Sequence, residues 1–331
     1  MKTIVTLTLN PALDVTTSVA DVVPAIKLRC GPERLDPGGG GLNAARTIAA
    51  LGGHALAVHC SGGNVGRRLQ RLLDVGRVPQ QAIPIEGETR ESFAVHDQAS
   101  GQQYRFVLPG PTLSPAEWRR AFAATVEAAA GSPGALVLAS GSLPPGVPAD
   151  GYARLARAVR GAGARFVLDT NGPALEAALR AGVHLIKPNW REFDALAGHG
   201  RAVTDDERRA LAAEIVGSGG AEVVVVTLGE RGALVTCADA QFEIRPPRVD
   251  VVSAVGGGDA FAGALLLALA RGWPLEAACR YGVAAAAAAV GTPGTAPPAR
   301  AAVERLHRAV GDHPRWRSST GAAPRCSWSA R

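Results

Sequence analysis

The sequence predicts an α/β protein with a mostly parallel central sheet, helices on both its faces and a small β appendage. Three observations predict it. Strand-like and helix-like runs alternate along the chain. The strand-like runs are apolar almost without interruption, which marks strands buried on both faces. Two stretches, 15–36 and 89–108, break the rhythm and carry no helical period. At 331 residues the chain is long enough for a large core.

The elements follow in order. IVTLTL (4–9) reads as the first strand and LNAARTIAAL (42–51) as a helix. ALAVHC (55–60) is a strand, and VGRRLQRLLDV (65–75) a helix. ALVLAS (135–140), RFVLDT (165–170), HLIKPN (184–189) and AEVVVVTLG (221–229) continue the strands, each beside a helix. SFAVHD and QQYRFVL, joined by the turn-rich QASG, predict a hairpin. The appendage reads either as a lid over a site or as a plain edge extension of the sheet. Residues 255–290 read as a glycine-rich loop and two Ala-rich helices that turn near 272–274. A helix over 298–310 follows. Residues 311–331 are polar, Arg/Ser-rich and aperiodic, as a disordered tail would be.

Composition narrows the function. The net charge is +6, but it is spread out, with no basic stripe interleaved with aromatics, which argues against nucleic acid. A small anionic substrate is the simpler partner. No apolar run reaches the roughly 18 residues of a membrane span. The start alternates Val, Ile and Leu with Thr and reads as a buried strand, not a signal peptide. The five cysteines form no CxxC pair, so neither a zinc site nor a disulfide framework is expected. Reduced thiols and a cytoplasmic location follow. Nearly all basic residues are arginine; the lysines are Lys2, Lys27 and Lys187. A lysine kept in such a background suggests a need for a compact point charge, which makes Lys27 and Lys187 candidates.

The segment SAVGGGDAFAGALLLAL (253–269) is the strongest. Gly256, Gly257 and Gly258 precede Asp259 where a helix begins. Helix N-termini expose unpaired N–H groups and a positive dipole end, so they hold phosphate. Asp259 there can take a proton from an attacking hydroxyl, or it can be an ordinary N-cap. It is not a Walker A loop, because no GK[ST] follows. PGGGGLNAARTIAALGG (37–53) brings four glycines into a second helix, with Asn43 in its first turn. Glycines this dense suit a ligand that approaches the backbone closely, and Asn43 can offer donor and acceptor to sugar hydroxyls; a flexible loop with a helix cap is the plainer reading. In LIKPNWREF (185–193), Lys187 can neutralise phosphate, and Asn189 and Glu192 can face a water-bridged Mg²⁺ or form a capping box. Asp14 follows the first strand. Arg90 and Arg105 lie on the appendage strands and can grip a phosphate bidentately. GSLPPG (141–146) is another strand-end loop suited to a ligand.

In this order, the segments resemble the ribokinase-like sugar kinases of the PfkB family, from about residue 3 to 310. PGGGGLNAARTIAALGG and SAVGGGDAFAG carry the resemblance, with GSLPPG and KPNWRE in support. It implies a ribokinase-like three-layer α/β/α domain over 1–310, with a lid from about 12–37 and 88–109. TLTLNPALD, KLRC, SGQQYRFVLPG and GSLPPGV are most similar to the branch that phosphorylates fructose 6-phosphate at O1 with ATP and Mg²⁺. Branches acting on fructose 1-phosphate or tagatose 6-phosphate usually have lysine where Gly40 stands. The resemblance implies Asp259 as base and the amides of Gly256, Gly257 and Gly258 as an anion hole. It implies Asp14, Gly39 and Asn43 on the sugar, and Arg90 and Arg105 on its 6-phosphate, with Ser140 nearby. Lys187, Asn189, Thr227 and Gly229 serve ATP, Glu192 serves Mg²⁺ through water, and Lys27 reaches toward nucleotide. Groups at Ser253, Val255, Ala289, Thr292 and Gly294 would bind K⁺, and a homodimer would form through the lid. Two departures stand out: Ala254 where the family commonly has Thr, and no arginine after Gly294-Thr295. Outside kinase chemistry, a sensor that binds sugar phosphate without turnover is the alternative.

Overall fold

A computed structural model describes residues 1–198, 203–253 and 255–310. The first half of the chain runs β1 (Ile4–Thr8), β2 (Ala12–Val19), β3 (Arg34–Gly38), α1 (Gly40–Ala50), β4 (Leu56–Ser61), α2 (Gly63–Val75), β5 (Gln80–Pro84), β6 (Arg90–Asp97), β7 (Gln103–Val107), α3 (Pro115–Ala130), β8 (Leu136–Ser140) and α4 (Gly151–Gly161). The second half runs β9 (Arg165–Asp169), α5 (Gly172–Ala181), β10 (Val183–Ile186), α6 (Trp190–Leu196), α7 (Asp205–Gly217), β11 (Ala221–Thr227), β12 (Ala233–Cys237), β13 (Ala240–Ile244), α8 (Gly257–Ala270), α9 (Leu275–Val290) and α10 (Arg300–Ala309).

A nine-stranded sheet has the order β13-β12-β11-β10-β9-β8-β1-β4-β5. Neighbours from β11 to β5 pair in parallel; β12 and β13 close the far edge as an antiparallel hairpin. Side chains alternate faces along each strand. Ile4, Leu136, Leu138, Val223 and Val225 therefore join one core with α1, α8 and α9. Val5, Leu7, Val137, Val224 and Val226 join the opposite core with α3 to α7. The layered architecture expected from the uninterrupted apolar runs is present. The edge hairpin had no counterpart in the sequence reading, since two five-residue strands around a tight turn lack a distinctive period.

The two stretches without helical period supply a second sheet, ordered β3-β2-β6-β7. β6 and β7 form the expected hairpin, and β2 pairs with β6 in parallel. Only residues 9–11 separate β1 from β2, so the small sheet grows directly out of the large one. The expected tail, 311–331, and Ala254 lie outside the described residues. No described helix is long and apolar enough to cross a membrane. Cys30, Cys60 and Cys279 are free thiols.

Candidate active site

In a parallel sheet the strand ends gather ligand-binding loops at the C-terminal edge. Here β1, β8, β9, β10 and β11 end together and deliver Thr8, Ser140, Asp169, Lys187 and Thr227 to that edge. Two helices begin above it. α8 starts at Gly256, whose φ of +83° is left-handed and suits glycine, and no side chain caps it. α1 starts at Gly39, also without a side-chain cap. The two helices touch closely because Gly263 has no side chain: a Cβ there would lie 2.6 Å from the Ala44 carbonyl oxygen.

That approach brings the two glycine segments together. Asp259 is not the N-cap of α8; it is the third residue of the helix. Its Oδ2 instead accepts a hydrogen bond from Asn43 Nδ2 at 2.8 Å, across 216 positions of sequence. The residue is partly exposed to the cleft. Burial raises its proton affinity above the ordinary range, while the Asn43 bond, Lys187 and Arg105 oppose that rise. Gly40 sits over Ser140 and Asp259: a Cβ there would overlap Ser140 Oγ and stand 3.1 Å from Asp259 Oδ1.

Lys187 is 3 % exposed, and its Nζ pairs with Asp169 Oδ1 at 3.1 Å. Burial alone would lower the ammonium, but Asp169, Asp259 and Glu192 together hold it above its ordinary range. The same Nζ would be 3.5 Å from a Cβ at Gly258, so the lysine stands at the mouth of α8. Ser140 Oγ donates to Asp169 Oδ2 at 3.2 Å. Burial pushes Asp169 up to about 6, against the pull of Lys187. Asp169 was not among the residues singled out from sequence; in RFVLDT it looks like any strand-end acid.

On the other wall, the missing side chain at Gly38 leaves room for the Asp14 carboxylate. Burial pushes Asp14 up to about 6; Arg105 opposes this, and Asp259 and Asp36 add to it. Arg90 donates from Nη1 to the Leu108 carbonyl at 2.8 Å and from Nη2 to the Asn10 carbonyl at 3.0 Å. Its buried Nε has no partner among the described residues. An orphaned guanidinium donor inside a cleft fits an anionic ligand. Arg105 is exposed on β7, opposite Ala94. Asn10, also not anticipated, is buried with an unpartnered Oδ1, and its Nδ2 donates to Ser142 Oγ at 3.2 Å.

Asn189 and Glu192 form the capping box of α6. Asn189 Oδ1 accepts from the amides of Arg191 and Glu192, and Glu192 Oε2 accepts from the Asn189 amide at 2.9 Å. Thr227 bridges to Asn189, and Gly229 opens a short 3-10 turn at φ +64°. Lys27 is apart from this group, exposed on the β2–β3 loop and without a hydrogen bond or ion pair among the described residues. The segments for the monovalent cation do converge: the amide of Ser253 donates to the Val290 carbonyl at 3.0 Å, and that of Val255 to Ser253 Oγ at 3.3 Å. Thr292 Oγ1 donates to the Ala289 and Ala296 carbonyls, and Gly294 turns at φ +61°. Among the described residues no three His, Cys, Asp or Glu side chains form a metal cage.

Small-molecule kinases are the class this arrangement defines, because phosphoryl transfer asks for alignment and charge neutralisation more than covalent chemistry. The chain belongs to the pfkB family of carbohydrate kinases, whose profile matches residues 10–302. It is 46% identical over 303 residues to the ATP-dependent 6-phosphofructokinase isozyme 2 of Mycobacterium tuberculosis, covering 92% of this chain and 88% of that one. The crystal structure of Escherichia coli phosphofructokinase-2 in complex with fructose-6-phosphate superposes with a TM-score of 0.87 at 40% identity, over 94% of this chain and 99% of that one. The same enzyme in complex with potassium superposes at 0.89, with the same identity and coverage.

Proposed function

We propose that this chain transfers the γ-phosphoryl group of ATP to O1 of fructose 6-phosphate, giving fructose 1,6-bisphosphate and ADP. One observation carries the reading: Asp259 stands inside the first turn of an uncapped, glycine-led helix and is held there by Asn43 of the facing one. The similarity to the two named 6-phosphofructokinases supports the choice of sugar.

Asp14, Asn43 and the Gly39 backbone hold the sugar, with Ser140 beside O1. Arg90 and Arg105 hold the 6-phosphate, which satisfies the orphaned Nε of Arg90. The O1 oxygen attacks the γ-phosphorus as the bond to the bridging β,γ-oxygen breaks. Asp259 takes the O1 proton. The amides of Gly256, Gly257 and Gly258 and the Lys187 ammonium neutralise charge that builds on the transferred group. Thr227 and Gly229 line the nucleotide site. Mg²⁺ would be held through water near Asn189 and Glu192, where it supplies charge neutralisation to the ATP phosphates. K⁺ would lie among groups of Ser253, Val255, Ala289, Thr292 and Gly294; Ala289 O already accepts from Thr292 N and Oγ1, so its share requires the Thr292 hydroxyl to turn away.

The small sheet acts as a lid that excludes water, so that ATP is not spent on hydrolysis. Its β6–β7 hairpin leaves Phe93, Tyr104 and Phe106 exposed on one side, an apolar face that a second copy would cover in a homodimer. Lys27 would then act from the lid across that dimer. A cytoplasmic location supplies both substrates.

ADP release measured over a panel of fructose 6-phosphate, fructose 1-phosphate and tagatose 6-phosphate tests the reading. The expected result is the highest kcat/KM with fructose 6-phosphate. Preference for either other sugar overturns the substrate assignment. Calorimetric binding without ADP release would make the chain a sensor.

A further inference from the structure

One cation of the cleft has no part in the chemistry above. Arg46 lies one turn after Asn43 on α1, with its side chain 11 % exposed. Its Nη1, with two hydrogens to share, lies within hydrogen-bond distance of Asn43 Oδ1 at 3.0 Å, the Pro37 carbonyl at 3.1 Å, and the Thr295 carbonyl and hydroxyl at 3.1 and 3.4 Å. Its Nη2 donates to Asp36 Oδ1 at 3.1 Å. Asp36 is buried on β3, and Arg34 Nε donates to its other oxygen at 2.8 Å. One guanidinium thus joins the small sheet through Asp36 and Pro37, the 291–296 turn through Thr295, and the helix that carries Asn43.

The consequence lies in the Asn43 amide. A guanidinium can only donate, and a carboxylate can only accept. The amide sits between Arg46 and Asp259, so one orientation satisfies both neighbours: Oδ1 toward Arg46 and Nδ2 toward Asp259. Asp259 alone already favours Nδ2 toward itself, and Arg46 holds the other end of the same amide; without Arg46 the amide is restrained from one side only and is free to swing away from the carboxylate. We infer that Arg46 is a positioning residue, which fixes the Asn43 amide against Asp259 and ties that alignment to the lid strand and the 291–296 turn. The inference rests on Asp259 being the proton acceptor.

Arg46→Lys tests it with the Asp36 charge still paired. A lysine is a point charge on a flexible stem and cannot reproduce the guanidinium fork that reaches Asn43, Thr295 and Asp36 together. The expected result is a fall in kcat of about tenfold, with KM for ATP unchanged within about twofold. In an Asn43→Ala background, Arg46→Lys should cost nothing further, because the group it acts through is gone. An unchanged kcat, or the same fall in both backgrounds, overturns the inference. If Arg46→Lys does not fold, Arg46→Met combined with Asp36→Asn removes both buried charges together and carries the same comparison. A crystal structure of the variant gives a readout that needs no turnover. Loss of the Asn43–Asp259 contact supports the positioning role, and retention of that contact overturns it. A parent inactive on every hexose phosphate would break the proposed function instead, and the crystallographic comparison would still decide the role of Arg46.

Discussion

Helices α1 and α8 both begin on a glycine run and both lack a side-chain cap, yet the glycines do different work at the two ends. At α1 they are absent volume. Gly38 makes room for Asp14, and Gly40 for Ser140 and Asp259. The α1 amides are partly spent: Leu42 N donates to Thr8 Oγ1 at 3.1 Å. At α8 the surroundings are looser, although a Cβ at Gly257 would stand 3.2 Å from Val290 Cγ1. A Cβ at Gly258 would meet only Lys187 Nζ, at 3.5 Å, and the left-handed turn at Gly256 aims uncapped amides at the cleft. One glycine run leaves space, which we assign to the sugar ring, and the other presents the positive end of a helix, which we assign to the phosphoryl group. Identical residues are recruited for sterics in one place and for electrostatics in the other.

Four perturbations bear on this contrast. The largest effect is expected at the point where the halves meet. Asp259→Asn should lower kcat by roughly 10²–10⁴ and leave both Michaelis constants near the parent's; turnover within tenfold of the parent removes Asp259 from the role of base. Next come the arginines of the lid. Arg90→Ala and Arg105→Ala should each raise KM for sugar phosphate by about 10–100-fold, with a smaller change in kcat. Steady-state kinetics at saturating ATP reads this, and unchanged constants would move the phosphate pocket elsewhere.

Gly40→Ala sharpens the steric side. Its Cβ displaces Ser140 Oγ, so kcat/KM for the sugar should fall about tenfold while KM for ATP holds. A matching loss on the nucleotide side would show that the two glycine runs are not separable. The smallest effect concerns pH. Asp14 has a folded pKa of about 6 against an ordinary value of 3.8, so the folded protein binds this proton more tightly than the unfolded chain. The stability linked to Asp14 is therefore full below pH 3.8 and is lost as pH rises through about 6. Asp14→Asn should gain about 1–3 kcal/mol of unfolding free energy at pH 8 relative to the parent, while its KM for sugar rises. Denaturant titrations at pH 8 and pH 4 check this; an equal effect at both pH values would contradict it.

The same contrast explains what could be read in advance. Glycine runs ahead of helix-forming stretches are visible in a string of letters, so both helix starts and Asp259 were accessible. The β6–β7 hairpin was legible from its alternation and its turn. Which reading of a residue would win was less legible. Asn189 and Glu192 form the capping box foreseen as one of two possibilities. Asp259 is bonded to Asn43 and is not a cap, because that choice depends on a helix 216 positions away. Asp169 and Arg46 were invisible for the same reason. Each is an ordinary acid or an ordinary arginine until the fold sets Lys187 or Asn43 beside it. Lys27, chosen for its rarity, sits on an exposed loop, since scarcity of a residue type says nothing about where the chain carries it.

The parallel pairing of β2 with β6 has one more consequence. Ala12 stands opposite Arg90, and Asp14 opposite Ser92, so the proposed sugar contact and the proposed phosphate contact share one ribbon. That ribbon is joined to the main sheet through residues 9–11, while Lys187, Thr227 and α8 belong to the larger body. Mutational drift in the ribbon can alter which phosphorylated sugar is accepted without disturbing the machinery that handles the phosphoryl donor. Such a division lets one scaffold diversify its acceptors over evolutionary time while its donor stays constant.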